Sequence, residues 1–238
     1  MFRMKGLYLF AVLASIFSSG KVYSQTQSQA SAVIDVGTGF SNDKSWAPSV
    51  LYYEQVSMNR ASWLRFGLGI RAWGYFADRT NLYSKKNSNA DYLEYGHVSA
   101  NGLSFVIGAN VRFWKIDLGV NTDLLGASYG SKRRGYYEKT LGENPGTGAL
   151  NYGQWLQTSP VIFNLAPLFL DNYNGQSEAY ARIYLTKRFG IKLGYVYGHI
   201  AYRTTDVKDS KVYLDIKQRR VSQNYGMPYA AVSFPLQH

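Results

Sequence analysis

The clearest pattern in the chain is a strict alternation of apolar and polar positions over residues 101–126. Apolar side chains occupy every second position over 103–113, and the alternation resumes over 116–124. A period of two is typical of a β-strand that has one apolar and one polar face. The pattern therefore predicts two strands joined by a tight turn at residues 114–115.

The same alternation predicts six further strands. They lie near residues 32–40, 50–58, 64–73, 179–185, 191–198 and 230–236. The strand at 50–58 is the least regular, because Glu54 shares a face with Val50, Tyr52 and Val56. If Glu54 points into the lumen, the polar Gln55 must point outward toward lipid. Either orientation exposes a polar side chain, so the register of this strand stays open.

The connections between these strands alternate in length. In order they are residues 41–48, 59–62, 77–98, 114–115, 127–176, 186–188 and 204–224. An up-and-down barrel with this order has every tight turn at one end and every longer loop at the other. We therefore predict an all-β, up-and-down antiparallel transmembrane β-barrel of eight strands, or of ten if residues 161–170 contain a hairpin.

The start of the chain has the features of a secretory signal peptide, predicted as residues 1–24. Arg3 and Lys5 precede an apolar stretch at 6–17, which is too short to span a membrane as a helix. Residues 25–238 then form one barrel domain. The sequence has no cysteine, which excludes a lipoprotein anchor, a disulfide and thiol chemistry.

An exported chain of alternating hairpins indicates an apolar exterior in lipid and a polar lumen. The 21 Tyr, 12 Phe and 5 Trp suit aromatic girdles at two membrane interfaces, and a mean hydropathy of −0.25 is compatible with membrane strands. We expect an outer-membrane protein with extracellular loops and periplasmic termini. A secreted lipocalin-like barrel, the inverse arrangement, is disfavoured because it would expose the Gly-rich faces to water.

The end of the chain adds a resemblance to a known family. Tyr229, Phe234 and Leu236 form a strand similar to the carboxy-terminal signal that the barrel-assembly machinery reads, although Ala231 stands where Gly is common. Over roughly residues 30–236 the chain resembles the small eight-stranded outer-membrane barrels of the OmpA and OmpX kind. The resemblance implies a monomer in the Gram-negative cell envelope, without a cofactor and without a periplasmic domain.

Charged side chains gather on the faces that we predict to line the lumen. They are Asp35, Glu54, Arg65, Arg71, Arg112, Asp117, Asp123, Arg182 and Lys192. Eight strands enclose a lumen that side chains just fill, so we expect these charges to pair and to plug the barrel. A narrow ion-conducting pore, as in a porin-like protein, is the alternative.

Histidine is the only candidate for acid–base catalysis that we single out. Of the three histidines, His97 ends a polar loop and His238 ends the chain, which leaves His199, beside Tyr195 and Tyr197 on one strand face. A lipid A-modifying enzyme would need a base within reach of a nucleophile. The spacing of the histidines does not suggest a metal site.

The net charge is +11 for the whole chain and +8 without Arg3, Lys5 and Lys21 of the predicted signal peptide, and this surplus favours anionic surroundings. Nucleic acid is disfavoured because an exported chain does not meet it, so lipid headgroups and lipopolysaccharide are the expected counter-charges. Lys132, Arg133 and Arg134 form a basic loop patch that could hold a lipopolysaccharide phosphate or a surface partner, or could simply be solvated. We predict a structural, adhesion or surface-interaction role, with a lipid-modifying enzyme and a narrow pore as alternatives.

Overall fold

The structure is a computed structural model that describes residues 30–58, 61–84, 91–139, 149–207, 210–214 and 218–236. The predicted signal peptide lies outside the described residues. The strands are β1 (Ala30–Phe40), β2 (Ser45–Met58), β3 (Ala61–Tyr83), β4 (Asp91–Phe113), β5 (Ile116–Tyr129), β6 (Arg133–Lys139), β7 (Trp155–Pro160), β8 (Phe163–Leu165), β9 (Gly175–Tyr184), β10 (Gly190–Thr204) and β11 (Arg220–Leu236). Within these ranges no helix has the length and apolar character needed to cross a membrane.

Eight of the strands close into a ring. β1 to β5 pair in sequence, β5 pairs with β9, and β9, β10 and β11 follow until β11 pairs with β1, all antiparallel. The predicted eight-stranded all-β ring is confirmed. The ten-stranded alternative is wrong, because the short β8 pairs with residues 125–127 of β5, forms one further bridge from Asn164 to Asn174, and is not a member of the ring.

The two ends of the ring differ as the loop lengths predict. One end, called here the turn end, holds the β2–β3, β4–β5 and β9–β10 connections together with the start of β1 and the end of β11. The opposite end, called the loop end, holds the β1–β2, β3–β4, β5–β9 and β10–β11 connections, and all but the first of these are longer than the connections at the turn end. The β1–β2 connection at the loop end is shorter than predicted, since β2 already begins at Ser45.

Much of the sequence predicted as loop is in fact strand. β3 and β4 are 23 residues each and remain paired as far as Tyr83 and Tyr92. The prediction ended these strands near Trp73 and Asn101 because the apolar exterior ends there. Beyond that level the outer face carries exposed polar side chains such as Asp78, so the alternation on which the prediction relied is lost while the pairing continues.

The loop end is closed by a second, smaller ring, called here the upper ring. It consists of the extended ends of β3, β4, β10 and β11 with β6 and β7, and a single bridge from Ser222 to Tyr83 closes it. Buried apolar and tyrosine side chains fill it, including Leu82, Leu93, Tyr137, Tyr202, Leu214 and Val221. The predicted 127–176 loop therefore contains β6, β7 and β8, of which β6 and β7 belong to the upper ring.

The faces of the eight-stranded ring are inverted relative to a water-soluble protein. Large apolar side chains are exposed outside; examples are Leu68, Ile70, Leu103, Phe105, Ile107, Leu118, Val120 and Leu193. On β2, Leu51, Tyr53 and Gln55 point inward and are each 1% exposed, which settles the open register. Glu54 consequently lies on the outer face, where Tyr52 donates a hydrogen bond to its carboxylate.

Candidate functional site

The interior of the ring holds a line of eight ionised side chains that alternate in sign. We call it the charge chain, and its members in spatial order are Arg112, Asp117, Arg182, Asp35, Lys192, Glu178, Arg71 and Asp123. Four cations face four anions, so the chain as a whole is neutral. Each member comes from an inward position of β1, β3, β4, β5, β9 or β10.

The half of the charge chain nearer the turn end is held by two aspartates. Asp117 accepts hydrogen bonds from Nε and Nη2 of Arg112 at 2.5 and 2.6 Å, and Nη1 of Arg182 lies 3.6 Å from Oδ2 of Asp117. Asp35 binds Nη2 of Arg182 at 2.6 Å and Nζ of Lys192 at 2.9 Å. Side chains of Asp35, Asp117, Arg182 and Lys192 have no exposed surface.

The other half continues toward the loop end. Nζ of Lys192 lies 2.7 Å from Oε1 of Glu178, whose Oε2 lies 3.2 Å from Nη2 of Arg71. Nη1 of Arg71 lies 2.9 Å from Oδ1 of Asp123, and the backbone N–H of Gln176 donates to Oδ2 of the same carboxylate at 2.9 Å. Lys192 is thus the link between the two halves.

Neutral side chains complete the coordination of the buried carboxylates. Ser233 donates a hydrogen bond to Asp35 at 2.6 Å, and Tyr184 donates to Asp117 at 2.8 Å. Buried charges are tolerated in proteins when they are both paired and hydrogen-bonded, and these two groups meet that condition. The charge chain fills the lower lumen, and the apolar core of the upper ring lies above it.

Seven of the nine predicted lumen charges belong to the charge chain. Arg65 lies inside the ring but is not a member of the charge chain. Glu54 lies on the outer surface, so the prediction that Glu54 lines the lumen was wrong. The prediction missed Glu178 because the strand was begun at Ala179. Extending the alternation of Tyr180 and Arg182 by two positions would have found it.

His199 lies where a lipid-modifying base would be expected, but it is covered. Its side chain lies on the outer side of β10, packs edge-on against the ring of Tyr197 at 5.2 Å, and is 1% exposed. A base with so little exposed surface has no direct access to a lipid headgroup. His97 instead contacts Asp78 at 3.3 Å on the surface, and His238 lies outside the described residues.

The predicted basic loop patch divides into two parts. Lys132 and Arg134 are exposed at the loop end, whereas Nη2 of Arg133 turns inward to donate to Ser99 at 3.1 Å. Arg133 therefore forms a hydrogen bond within the barrel wall and does not belong to the exposed basic patch. Nearby, Tyr92 of β4 is joined to β6 by a hydrogen bond to Glu138, which raises the pKa of Tyr92 to about 12 and keeps it a neutral donor.

The three predicted assembly-signal residues lie on both faces of β11, one inward and two outward. Tyr229 points inward, where its hydroxyl lies 3.0 Å from that of Ser49. Phe234 and Leu236 point outward, and Phe234 packs edge-on against Phe189 of the β9–β10 turn at a centroid distance of 6.5 Å.

No cluster of three or more potential metal ligands exists among the described residues. Comparison with models of known protein families found no match, and a search of curated protein sequences found none either. The charge chain, the apolar exterior and the upper ring are therefore the features on which an assignment of function can be based.

Proposed function

We propose that the protein is an integral outer-membrane β-barrel with a sealed, charge-filled lumen, and that its folded loop end serves a structural or surface-interaction role. The single observation that carries the proposal is the inversion of the two faces of the ring. Seven of the eight members of the charge chain are buried inside, while leucine, isoleucine and phenylalanine side chains are exposed outside. Only an apolar solvent makes such an exterior favourable.

The height of the apolar exterior supports a membrane location. On β5 the exposed apolar side chains extend from Ile116 to Leu125. Nine residue steps of ~3.4 Å, on a strand tilted by about 40°, rise roughly 23 Å along the barrel axis. The lipid-facing band of outer-membrane barrels is about 25 Å tall, so the two dimensions agree.

Aromatic side chains at both margins of this band support the same location. Trp114 and Phe234 are exposed near the turn end, and Trp46 and Tyr129 are exposed near the loop end. Aromatic rings are enriched where lipid meets water, because they combine an apolar body with a polar or polarisable edge. In this arrangement the chain termini and tight turns face the periplasm and the upper ring faces outward.

The filled interior favours a structural role over a pore. The charged side chains of the charge chain pair with one another, and the apolar side chains of the upper ring cover the loop end. An ion would have to displace Arg182 or Lys192 from their carboxylates to pass. We therefore place the narrow pore and the lipid-modifying enzyme, whose candidate base His199 is covered, behind the structural role.

The upper ring offers the surface on which a partner would act. Lys132 and Arg134 are exposed beside it and suit the phosphates of lipopolysaccharide. In this proposal the protein resembles the small OmpA and OmpX barrels in wall and lumen. Delivery by the barrel-assembly machinery would use the strand that contains Phe234.

The test is the location and heat behaviour of the protein in cells. We expect it in the outer-membrane fraction, with a faster gel band in unboiled SDS samples that shifts on boiling. Recovery as a soluble protein without a shift would overturn the proposal. Planar-bilayer recordings should show no stable conductance, and lipid A from cells with and without the protein should have the same mass.

A further inference from the structure

The turn end of the ring contains an accumulation of positive charge that the charge chain does not neutralise. The interior holds five bases, and four of them alternate with the four acids. The fifth base, Arg65, is 6% exposed and makes no ion pair with any described residue. Its one hydrogen bond runs from Nη1 to the hydroxyl of Ser31 at 3.2 Å, and its buried Nε has no partner in the described part of the chain.

A cavity of about 490 Å³ opens at this end, and we call it the mouth pocket. Its polar lining includes Ser31, Gln55, Arg112, Lys115 and Lys187, and none of its lining residues is acidic. The hydroxyl of Ser31 connects the pocket to Arg65. The pocket is therefore basic on its walls and has a further buried cation behind it.

The sheet register brings three donors of this region together. Gln55 on β2 pairs with Gly67 on β3, two residues from Arg65, and Arg65 pairs with Asn110 on β4, two residues from Arg112. Inward residues that are diagonal neighbours on adjacent strands lie within reach of one another's long side chains. Gln55, Arg65 and Arg112 thus form one inward-facing group across three strands.

The Gln55 amide of this group and the amide of Asn110, which pairs with Arg65, have unused hydrogen-bonding capacity. Gln55 is 1% exposed and Asn110 is 2% exposed, yet neither the nitrogen nor the oxygen of either amide bonds to a described residue. Buried polar groups in folded proteins are almost always satisfied, so each such group needs a partner. Here the unsatisfied donors lie beside an unpaired guanidinium, which requires a negative charge.

We propose that the mouth pocket binds one compact oxyanion, a phosphate or a carboxylate group, among Arg65, Arg112 and Gln55. The Arg65 guanidinium presents a planar set of N–H donors that matches the oxygens of such an anion. Arg112, whose Nε and Nη2 already donate to Asp117, adds its positive charge. The Gln55 amide nitrogen adds a neutral donor, and Lys115 and Lys187 at the rim attract the anion from solution. The site adjoins the charge chain at Arg112 and does not depend on which face of a membrane the pocket meets.

The test is ligand-dependent stabilisation of the full chain, purified in a non-ionic detergent. The unfolding temperature is followed while sodium phosphate replaces sodium chloride at constant ionic strength. We expect a saturable rise, because a ligand that binds only the folded state stabilises it by mass action. Arg65→Met and Gln55→Leu should each raise the half-saturating phosphate concentration, the former by about tenfold or more, since it removes a charged donor.

Arg203→Met is the matched control, because Arg203 is exposed on β10 at the loop end, and the response to phosphate should not change. Absence of a saturable rise would overturn the proposal, as would a rise that Arg65→Met leaves undiminished. If Arg65→Met does not fold, Gln55→Leu decides, since it changes no charge. Titrations with sodium acetate and with dihexanoyl phosphatidic acid distinguish a carboxylate and a lipid phosphate from free phosphate.

Discussion

The Arg182 guanidinium lies 2.6 Å from the Asp35 carboxylate, and this contact joins β9 to the first strand of the ring across the lumen. Neither side chain has any exposed surface. Such a pair is costly to bury and still more costly to break, because the remaining partner is left charged and without water. The stability of the barrel should therefore respond strongly to single changes in the charge chain.

Arg71→Met should destabilise the protein, whereas Arg65→Met should not. Arg71 is the sole basic neighbour of Asp123 in the charge chain and also pairs with Glu178, so its loss leaves uncompensated negative charge worth about 3–5 kcal/mol. Arg65 leaves no acid unpaired. The temperature at which the compact gel band disappears measures the difference, and equal effects of the two substitutions would contradict a role for the charge chain in stability.

Removing two neighbours of opposite sign should be tolerated better than removing one. Lys192→Met leaves Glu178 with one partner fewer, whereas adding Glu178→Gln restores neutrality and keeps Asp35 with Arg182 and Arg71 with Asp123. We expect the double variant to be more stable than Lys192→Met alone, with a coupling energy of ~0.5–3 kcal/mol. Additive losses in a thermal-unfolding cycle would show that the two ions are not coupled.

A charge on the apolar exterior should be costly only if that face lies in lipid. Val120 is 58% exposed in the middle of the band on β5 and lies opposite Ala109 and Ala179, so Val120→Arg should destabilise the inserted barrel by about 2–4 kcal/mol. Ser131→Arg is the control, since Ser131 is exposed at the loop end. Reversible unfolding from lipid bilayers measures both, and a Val120→Arg substitution without effect would place this face in water.

The upper ring should unfold separately from the eight-stranded ring when its core is weakened. Leu93 is fully buried in that core, and Leu93→Ala should cost about 2–5 kcal/mol locally. Trypsin should then cleave the loop-end segments faster while the heat-shifted gel band persists. Leu150→Ala should change neither property, because Leu150 is 90% exposed. Loss of the compact band in Leu93→Ala would mean that the two rings unfold together.

The divided basic patch predicts which residues contribute to lipid binding. Replacing both Lys132 and Arg134 with glutamate should weaken binding of the purified protein to lipopolysaccharide. The charge-matched control replaces Arg203 and Lys211, which are also exposed at the loop end, with glutamate and should have a smaller effect. Equal losses would indicate attraction by net charge alone.

The sequence was sufficient for the eight-stranded ring because each ring strand alternates where it crosses the apolar band. Phe105 and Ile107 face outward and Arg71 and Asp117 face inward as predicted, since a period of two assigns every residue to a face once one is known. Glu54 was misassigned because its strand has apolar side chains on both faces, Leu51 and Tyr53 inward and Val50 and Val56 outward.

The upper ring could not be predicted from alternation. Its strands pair β4 with β6 and β10 with β7, contacts between segments far apart in sequence, and their outer faces carry polar side chains. The alternation of apolar and polar residues shows which face of a strand is apolar and which is polar. Above the apolar band the outer face is polar, so the alternation is lost. The sequence also could not predict that Arg65 lacks an ion pair among the described residues, because this depends on which acidic side chain lies next to each basic one in the folded barrel.

The charges inside the ring are balanced only when β1 pairs with β11, because β1 carries one of the four acids of the charge chain. Asp35 is carried on β1, whereas its partners Arg182 and Lys192 belong to strands synthesised much later. Until β1 joins β11, these two cations face an open seam without their shared counter-ion. A barrel that has inserted all but its first strand therefore carries a penalty that the finished one does not. We therefore expect a chain deprived of β1 to yield less of the compact, heat-shifted gel band than the full chain does.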